Sequence, residues 1–502
     1  MQIFAATTAK EEGLNVTEIS LHRPFPADAV REWHHETDVV IIGFGAAGAC
    51  AAIEASQNGA RVTLFERNSG SGGASALSGG EIYIGGGGGT DAQRAAGFED
   101  STEDFAAYLK AAGGPCVDEA KCDLYAADAL DHYKWLKAQG VPYRGNYLPG
   151  KHIEPVDDST LIWSGSEAAE PFCDIAKPAP RGHVIQHQGW GGGRPLIDIL
   201  ERRATDLGTE TVTDARAVAL IADGAAIVGA VFRIDNEDRF VRARRGVVLA
   251  TGGFVMNEDM RRRYCPQTIG LSGPIGDKDD GTGILLGVGA GGDAIHMDQF
   301  FTTCPWTMPE SHAYGVFVNT AGQRFINEDA YHGRVSRYAI DQRGGRVFLL
   351  LDNAHFQQPL DLANIDIAGT GNDWAEVEQE LGMAPGSLSA TMDFYNRHAQ
   401  QGTDPLFGKR PPILKPLDQG PFVALELNFR DSFFSFFTLG GLRTSTEGEV
   451  LDRSGAPVPG LFAAGRCTSG LPAWGHGYSS GLSLADCSYF GRRAGKSAAA
   501  RK

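Results

Sequence analysis

Long apolar runs are missing from this sequence, and their absence removes one class of protein. No stretch approaches the roughly 18 consecutive apolar residues that a membrane-crossing helix needs, so no membrane span is expected. The opening residues, MQIFAATTAKEEG, put acids where a signal peptide carries its apolar centre, which argues against export and for a cytoplasmic protein. Clustered positive charge is missing too. The net charge is −17 and no Lys/Arg cluster could cover a run of phosphates, which argues against nucleic acid as substrate. Paired cysteines are also absent. Cys50, Cys116, Cys122, Cys173, Cys265, Cys304, Cys467 and Cys487 form no CxxC pair and no Cys/His cluster. They read as buried or reduced thiols, not as a disulfide framework or a metal site.

Glycine is plentiful, with 66 residues in 502, and its placement is informative. Near the front stands DVVIIGFGAAG (Asp38 to Gly48), followed by VTLFE ending at Glu66. Val39 to Ile42 suit a strand buried on both faces. Gly43 permits a tight turn, Gly45 lets backbone approach a pyrophosphate, and Gly48 lets helix and strand pack closely. A helix is predicted through Ala49 to Asn58, with Gly59 as its stop. Its first turn offers N–H groups and a positive dipole end to phosphate. Glu66 is placed to accept hydrogen bonds from ribose hydroxyls. Near the back stand GLFAAG (Gly460 to Gly465) and GHGYSSGLSLAD (Gly475 to Asp486). A pocket finished by both ends of a chain is the habit of large FAD enzymes.

The length calls for two or three domains. Residues 1–35 precede the first strand and read as an N-terminal arm. Residues 36–290 carry the first part of a Rossmann-like FAD-binding domain, including a glycine run (Ser69 to Thr90), helical patterns between Ser101 and Gly140, and alternating strands from 210 to 256. Residues 291–439 lack that rhythm and read as an inserted second domain. Residues 440–502 return to the FAD domain. The expected fold class is therefore α/β with a discontinuous nucleotide domain.

DVVIIGFGAAG, GGASALSGG, RARRGVVLATGGF, GQRFINED, FTLGGL and PGLFAAGRCTSG together resemble the flavoproteins of the fumarate reductase and 3-ketosteroid dehydrogenase superfamily. The resemblance covers nearly the whole chain from about residue 36, and it implies that the inserted residues 291–439 form an α+β substrate and catalytic domain. It implies noncovalent FAD, because the histidine that links FAD in some relatives is absent from GGASALSGG. The implied FAD contacts are Gly43, Gly45, Ala46, Ala47 and Gly48 in the first turn, with Glu66 and Arg67 after the second strand. Gly73, Ala74, Ser75, Gly79 and Gly80 in the glycine run, then Ala217, Ala250, Thr251, Gly252 and Asp280, continue the set. Gly465, Arg466, Gly481, Leu482, Ser483 and Leu484 complete it. Cys467 sits beside the back motif and reads as packing.

Departures from the fumarate reductases narrow the branch. Where they carry two arginines for a dicarboxylate, this chain has His332 and Tyr478, so the bidentate partners are lost. The loop GHGYSSGLSLADCSYFGRRAG is similar to that of the 3-ketosteroid Δ4-(5α)-dehydrogenases, which place Tyr-x-Ser here and a tyrosine after RFxxED. Δ1-dehydrogenases carry Tyr-Pro-Gly, against Tyr478-Ser479-Ser480-Gly481 here. The resemblance implies that Tyr478 polarises a ketone oxygen, Ser480 takes the C4 proton with help from Tyr331, and C5 loses hydride to the flavin. The substrate would be an apolar 3-ketosteroid, and the electron acceptor is left open. Taken by residue alone, Ser480 could equally cap the last helix, and His332 competes with Tyr331 as proton shuttle. Phe300, Phe301, Phe433, Phe434, Phe436, Phe437 and Trp474 are candidates for an apolar pocket, and His183 and His476 read as structural. A Δ1-dehydrogenase, a reductase of another enone and an electron-transfer subunit are the competing functions.

Overall fold

Strand β1 (His35–Ile42) holds Val39 to Ile42 inside the molecule and opens the nucleotide-binding half. The computed structural model describes residues 19–144 and 146–502, so residues 1–18 of the expected arm lie outside the described residues. Helix α1 (Ala46–Gln57) follows, built almost wholly of small residues, and ends at Gly59 with φ +78°. Strand β2 (Val62–Phe65) then pairs in parallel with β1, Val39 opposite Val62 through Ile42 opposite Phe65. The chain leaves that sheet at β3 (Glu81–Tyr83). This strand pairs antiparallel with Gly182–Val184 in a separate four-stranded sheet. Helices Thr102–Gly113 and Glu119–Ala138 occupy the stretch that reads as helical, and a further helix spans Gly193–Asp206.

The long strand β4 (Glu237–Leu249) organises the main sheet because its two halves do different work. Its first half pairs antiparallel with Ala226–Ile234, and both halves run parallel to β1, with an irregularity between Ala243 and Gly246. Phe25–Pro26, inside the stretch read as an arm, adds a short edge strand parallel to Arg216–Asp223. Strand β5 (Phe300–Thr303) and helix α2 (His332–Ile340) enter next. Between and after them lies a four-stranded antiparallel sheet of Val316–Asn319, Arg346–Asp352, Phe422–Asn428 and Asp366–Gly371. Strand β6 (Ser435–Thr438) pairs antiparallel with β5. One apolar core runs unbroken from Val40 and Leu249 in the main sheet to Phe317 and Leu349 in the antiparallel one.

The chain closes with β7 (Pro457–Ala463) and α3 (Leu482–Ala500). β7 returns to the main sheet beside the second half of β4, Val247 opposite Leu461 through Leu249 opposite Ala463. Among the described residues the main sheet thus has nine strands, with front and back motifs side by side. Helix α3 lies directly on α1. A Cβ at Gly491 would stand 2.5 Å from the Ala47 carbonyl oxygen, and one at Gly495 would stand 2.2 Å from that of Ala51. Glycine at both positions lets the helix backbones touch, which locks the last helix against the first βα turn.

Candidate active site

The first turn is shaped by backbone crowding. Gly43 has φ +105°, and a Cβ there would sit 2.4 Å from the Ala250 carbonyl oxygen. Gly45 precedes the first residue of α1, leaving the helix start open to a ligand. Gly48 lies beneath, where a Cβ would come within 1.9 Å of the Gly43 oxygen. Glu66 accepts from the Phe44 amide at 2.7 Å and the Asn68 amide at 2.8 Å, so its carboxylate braces the turn while still edging the cleft. Across the cleft Arg67 is pinned to Asp280 at 2.7 Å. The cleft spans about 820 Å³, part of it open to solvent.

Gly43, Gly45, Ala46, Ala47, Glu66, Arg67, Gly73, Ala74, Ser75, Ala217, Ala250, Thr251, Gly252, Asp280, Gly465 and Arg466 all line this one cleft. Its chemistry fits a flavin dinucleotide. The glycine walls admit flat groups against backbone, and the buried Thr251 hydroxyl has no protein partner among the described residues. Asp279 was not anticipated. It bonds Arg466 at 2.8 Å and the Gly253 amide at 3.3 Å, and packs where Gly252 has no side chain. Burial pushes its carboxyl up. Its only sequence signal is the acidic loop GDKDD.

A second space adjoins the first and shares Ala74, Ser75, Arg466 and Cys487 with it. Here lie Tyr331, Tyr478 and Ser480, with Gly79, Gly481, Ser483 and Leu484. Tyr331, the residue before α2, places its hydroxyl 2.6 Å from Ser480 Oγ. The Ser166 hydroxyl accepts from the Tyr331 amide at 3.1 Å, and the Ser480 amide donates to the Ser164 carbonyl at 2.8 Å. Tyr478 donates to Ser483 Oγ at 3.1 Å, on the first turn of α3. Phe301 packs between the tyrosines, its ring 4.4 Å from Tyr478 and 6.4 Å from Tyr331. Phe437 and Ile275 extend the apolar wall.

Not every expected residue faces these spaces. Leu482 is buried in the core and Gly80 is a turn pressed on the Gly192 backbone. Of the aromatic candidates, Phe301 and Phe437 line the cavity, whereas Phe300, Phe434 and Phe436 are core, and Trp474 packs under Gly114. Cys467 donates its thiol to the Leu249 carbonyl at 3.1 Å. His183 is bonded at both ring nitrogens, by Thr90 and the Arg181 carbonyl, and His476 bonds Asp341 at 2.6 Å.

Burial governs the electrostatics of the second space. It pushes the Tyr331 phenol well up and the Tyr478 phenol to about 12. It pushes His332 down to about 3, so the imidazole is neutral near pH 7. His332 Nδ1 is engaged with the Thr303 hydroxyl at 2.6 Å, and the hydroxyl beside Ser480 belongs to Tyr331.

Comparison with known proteins agrees with this architecture. Residues 38–482 match the FAD-binding domain family. The chain is similar to the crystal structure of 3-ketosteroid Δ4-(5α)-dehydrogenase from Rhodococcus jostii RHA1 in complex with 4-androstene-3,17-dione. Identity is 42%, coverage is 95% of this chain and 99% of that one, and the TM-score is 0.89. A 3-oxo-5-alpha-steroid 4-dehydrogenase of Comamonas testosteroni is 28% identical, over 88% of this chain and 94% of its own. A 3-oxosteroid 1-dehydrogenase of Mycolicibacterium smegmatis is 25% identical, over 88% and 93%. With its FAD cleft formed by both ends of the sequence, the chain belongs to the FAD-binding family and, within it, to the 3-ketosteroid Δ4-(5α)-dehydrogenases.

Proposed function

We propose that this enzyme introduces the C4–C5 double bond into saturated 3-keto-5α-steroids. The observation that carries the reading is the Tyr331–Ser480 hydroxyl pair, 2.6 Å apart, in an apolar space opening onto the dinucleotide cleft beside Tyr478. Bound FAD supplies an isoalloxazine able to take up a hydride equivalent. The chain supplies the rest. Tyr478 donates to the ketone oxygen, and its present partner Ser483 can turn to donate to the phenol oxygen as negative charge develops. Ser480 takes the proton from C4, and the adjoining Tyr331 hydroxyl relieves it of its own proton. Phe301, Phe437 and Ile275 offer apolar surface to a steroid and keep water away from the forming enolate.

The deciding measurement is anaerobic reduction of the flavin by saturated 5α- and 5β-3-ketosteroids, with product regiochemistry. A 4-ene product supports the reading, and a 1-ene product without 4-ene overturns it. Failure of every ketosteroid to bleach the flavin points instead to an electron-transfer protein. Ser480→Ala should retain FAD and still shift the flavin spectrum with an enone product while failing to reduce flavin with substrate. Near wild-type flavin reduction in that variant would leave Ser480 as a helix-start residue only.

A further inference from the structure

The hydroxyl pair can pass a proton but has nowhere to keep it. Serine and tyrosine hydroxyls are weak bases at neutral pH, and burial makes the Tyr331 phenol harder still to ionise. His332, held down to about 3, is a poor acceptor. Two carboxylates line the cavity among its described residues, Glu81 and Glu154. Glu154 is half-buried and already accepts from the Gly191 amide at 3.0 Å. Glu81, on β3, is 6% exposed, and its Oε1 has no hydrogen-bond partner among the described residues.

The surroundings of Glu81 are cleared by glycine on two sides. Its Cγ lies 2.9 Å from where Gly481, next to Ser480, would carry a Cβ. Its Oε1 and the Ser164 hydroxyl converge on Gly182, 2.1 and 2.6 Å from where that residue's Cβ would stand. The Ser164 hydroxyl is likewise buried without a partner, and the Ser164 carbonyl is the group that accepts from the Ser480 amide. A buried carboxyl oxygen left without a hydrogen-bond partner costs stability unless something offsets it. Its position against the loop that carries Ser480 suggests what that is.

We propose that Glu81 is the proton-relay residue that receives, by way of Ser480 and Tyr331, the proton removed from the ketone substrate. This rests on the Δ4-dehydrogenase reading above. The C4–H bond breaks and its electron pair becomes the π bond of the new C4=C5 double bond, displacing from C5 the hydride that bound FAD would take up as oxidant. Each hydroxyl gains one proton and loses one, so both end unchanged, and Glu81 ends as the carboxylic acid. Glu154 and Glu167 act on Glu81, Glu81 acts in turn on the phenols of Tyr331 and Tyr478, and neutral His332 and the Arg466 guanidinium line the same cavity. Burial first, then the two neighbouring acids, push its carboxyl up to about 8, against a lowering contribution from Ser164. The carboxylate form therefore grows in through the mildly alkaline range.

The test is Glu81→Gln, an isosteric change that removes the basic oxygen. Flavin reduction by a saturated 5α-3-ketosteroid should slow by about 10²-fold. The rate of the unaltered enzyme should rise through about pH 8, and in Glu81→Gln that rise should disappear. FAD content and the spectral shift with an enone product should remain. A Glu81→Gln variant with the wild-type pH profile overturns the relay while leaving the Δ4 reading intact. An unaltered enzyme that makes no 4-ene overturns both. Should the substitution cost FAD, the unaltered enzyme decides through a pH indicator in a single turnover. Proton appearance in solvent that lags flavin reduction supports storage on Glu81, and simultaneous appearance overturns it.

Discussion

Tyr331 and Tyr478 carry the same side chain with rings 6.5 Å apart, yet their hydroxyl partners separate their roles. Tyr331 is paired with Ser480, the proposed proton acceptor, whereas Tyr478 is paired with Ser483 on the first turn of α3. Tyr478→Phe removes one donor to the ketone oxygen and should slow turnover by about 10²–10³-fold with FAD retained. The ligand-induced shift of the flavin spectrum should weaken with it. Tyr331→Phe should instead preserve that shift and abolish flavin reduction, the pattern expected of Ser480→Ala. Turnover of Tyr331→Phe close to the unaltered enzyme would transfer the shuttle role to His332. The burial that holds His332 neutral argues against that outcome.

At the scale of elements, the cofactor cleft depends on how closely α3 can approach α1. Gly491 and Gly495 stand one turn apart on α3 and meet the carbonyl oxygens of Ala47 and Ala51. Gly465, with φ +75°, would drive a Cβ to 2.9 Å from that of Ala47. Gly495→Ala must therefore push the helices apart, with a cost of about 1–3 kcal/mol for an overpacked contact. Since α1 begins at the dinucleotide turn and α3 begins at the Tyr478–Ser480 loop, the same change should reduce FAD occupancy. Measuring flavin-to-protein ratio and thermal midpoint together checks this. Full occupancy with an unchanged midpoint would mean the helix contact does not govern the cleft.

For the whole molecule, buried acids set a pH signature. Asp486, which accepts from the Leu471 amide at 2.8 Å, is pushed by burial up to about 6, and Glu81 to about 8. Their ordinary values are 3.8 and 4.5, so between those and the raised values the folded protein holds protons that the unfolded chain has lost. Stability from these two groups is fully present below the ordinary values and is lost as pH rises through about 6 and then about 8. Buried His132, His183 and His332, held below their ordinary 6.5, add stability as pH rises toward that value, so the loss from the acids shows cleanly only as a difference. The urea midpoint of the FAD-loaded enzyme should fall above about pH 7 as Glu81 ionises, and Asp486→Asn should gain on the unaltered protein as pH rises through about 6. A midpoint in Asp486→Asn that tracks the unaltered protein would sink this assignment. Acid or heat precipitation should release the flavin into the supernatant as FAD. Flavin that stays with the pellet would show a covalent link.

The nucleotide half was readable in the sequence because its signals are local. A tight turn, a helix start against a pyrophosphate and a strand buried on both faces each need particular residue types within a few positions. Gly43 to Gly48 meet those needs without reference to the rest of the chain. Tyr331, Tyr478 and Ser480 could be named only through resemblance, since nothing in a single sequence says that residues about 150 apart share a hydrogen bond. Packing decided the rest. It chose Phe301 and Phe437 from a run of similar phenylalanines for the cavity wall and sent their neighbours into the core. It closed Asp279 onto Arg466 and left one oxygen of Glu81 without a partner among the described residues, beside the Tyr478–Ser480 loop. The physical reason is that burial and unpaired hydrogen-bonding capacity are properties of the assembled surroundings. They come into being only when β3, α2 and the loop before α3 are brought together by the pairing of β7 with β4 and of α3 with α1.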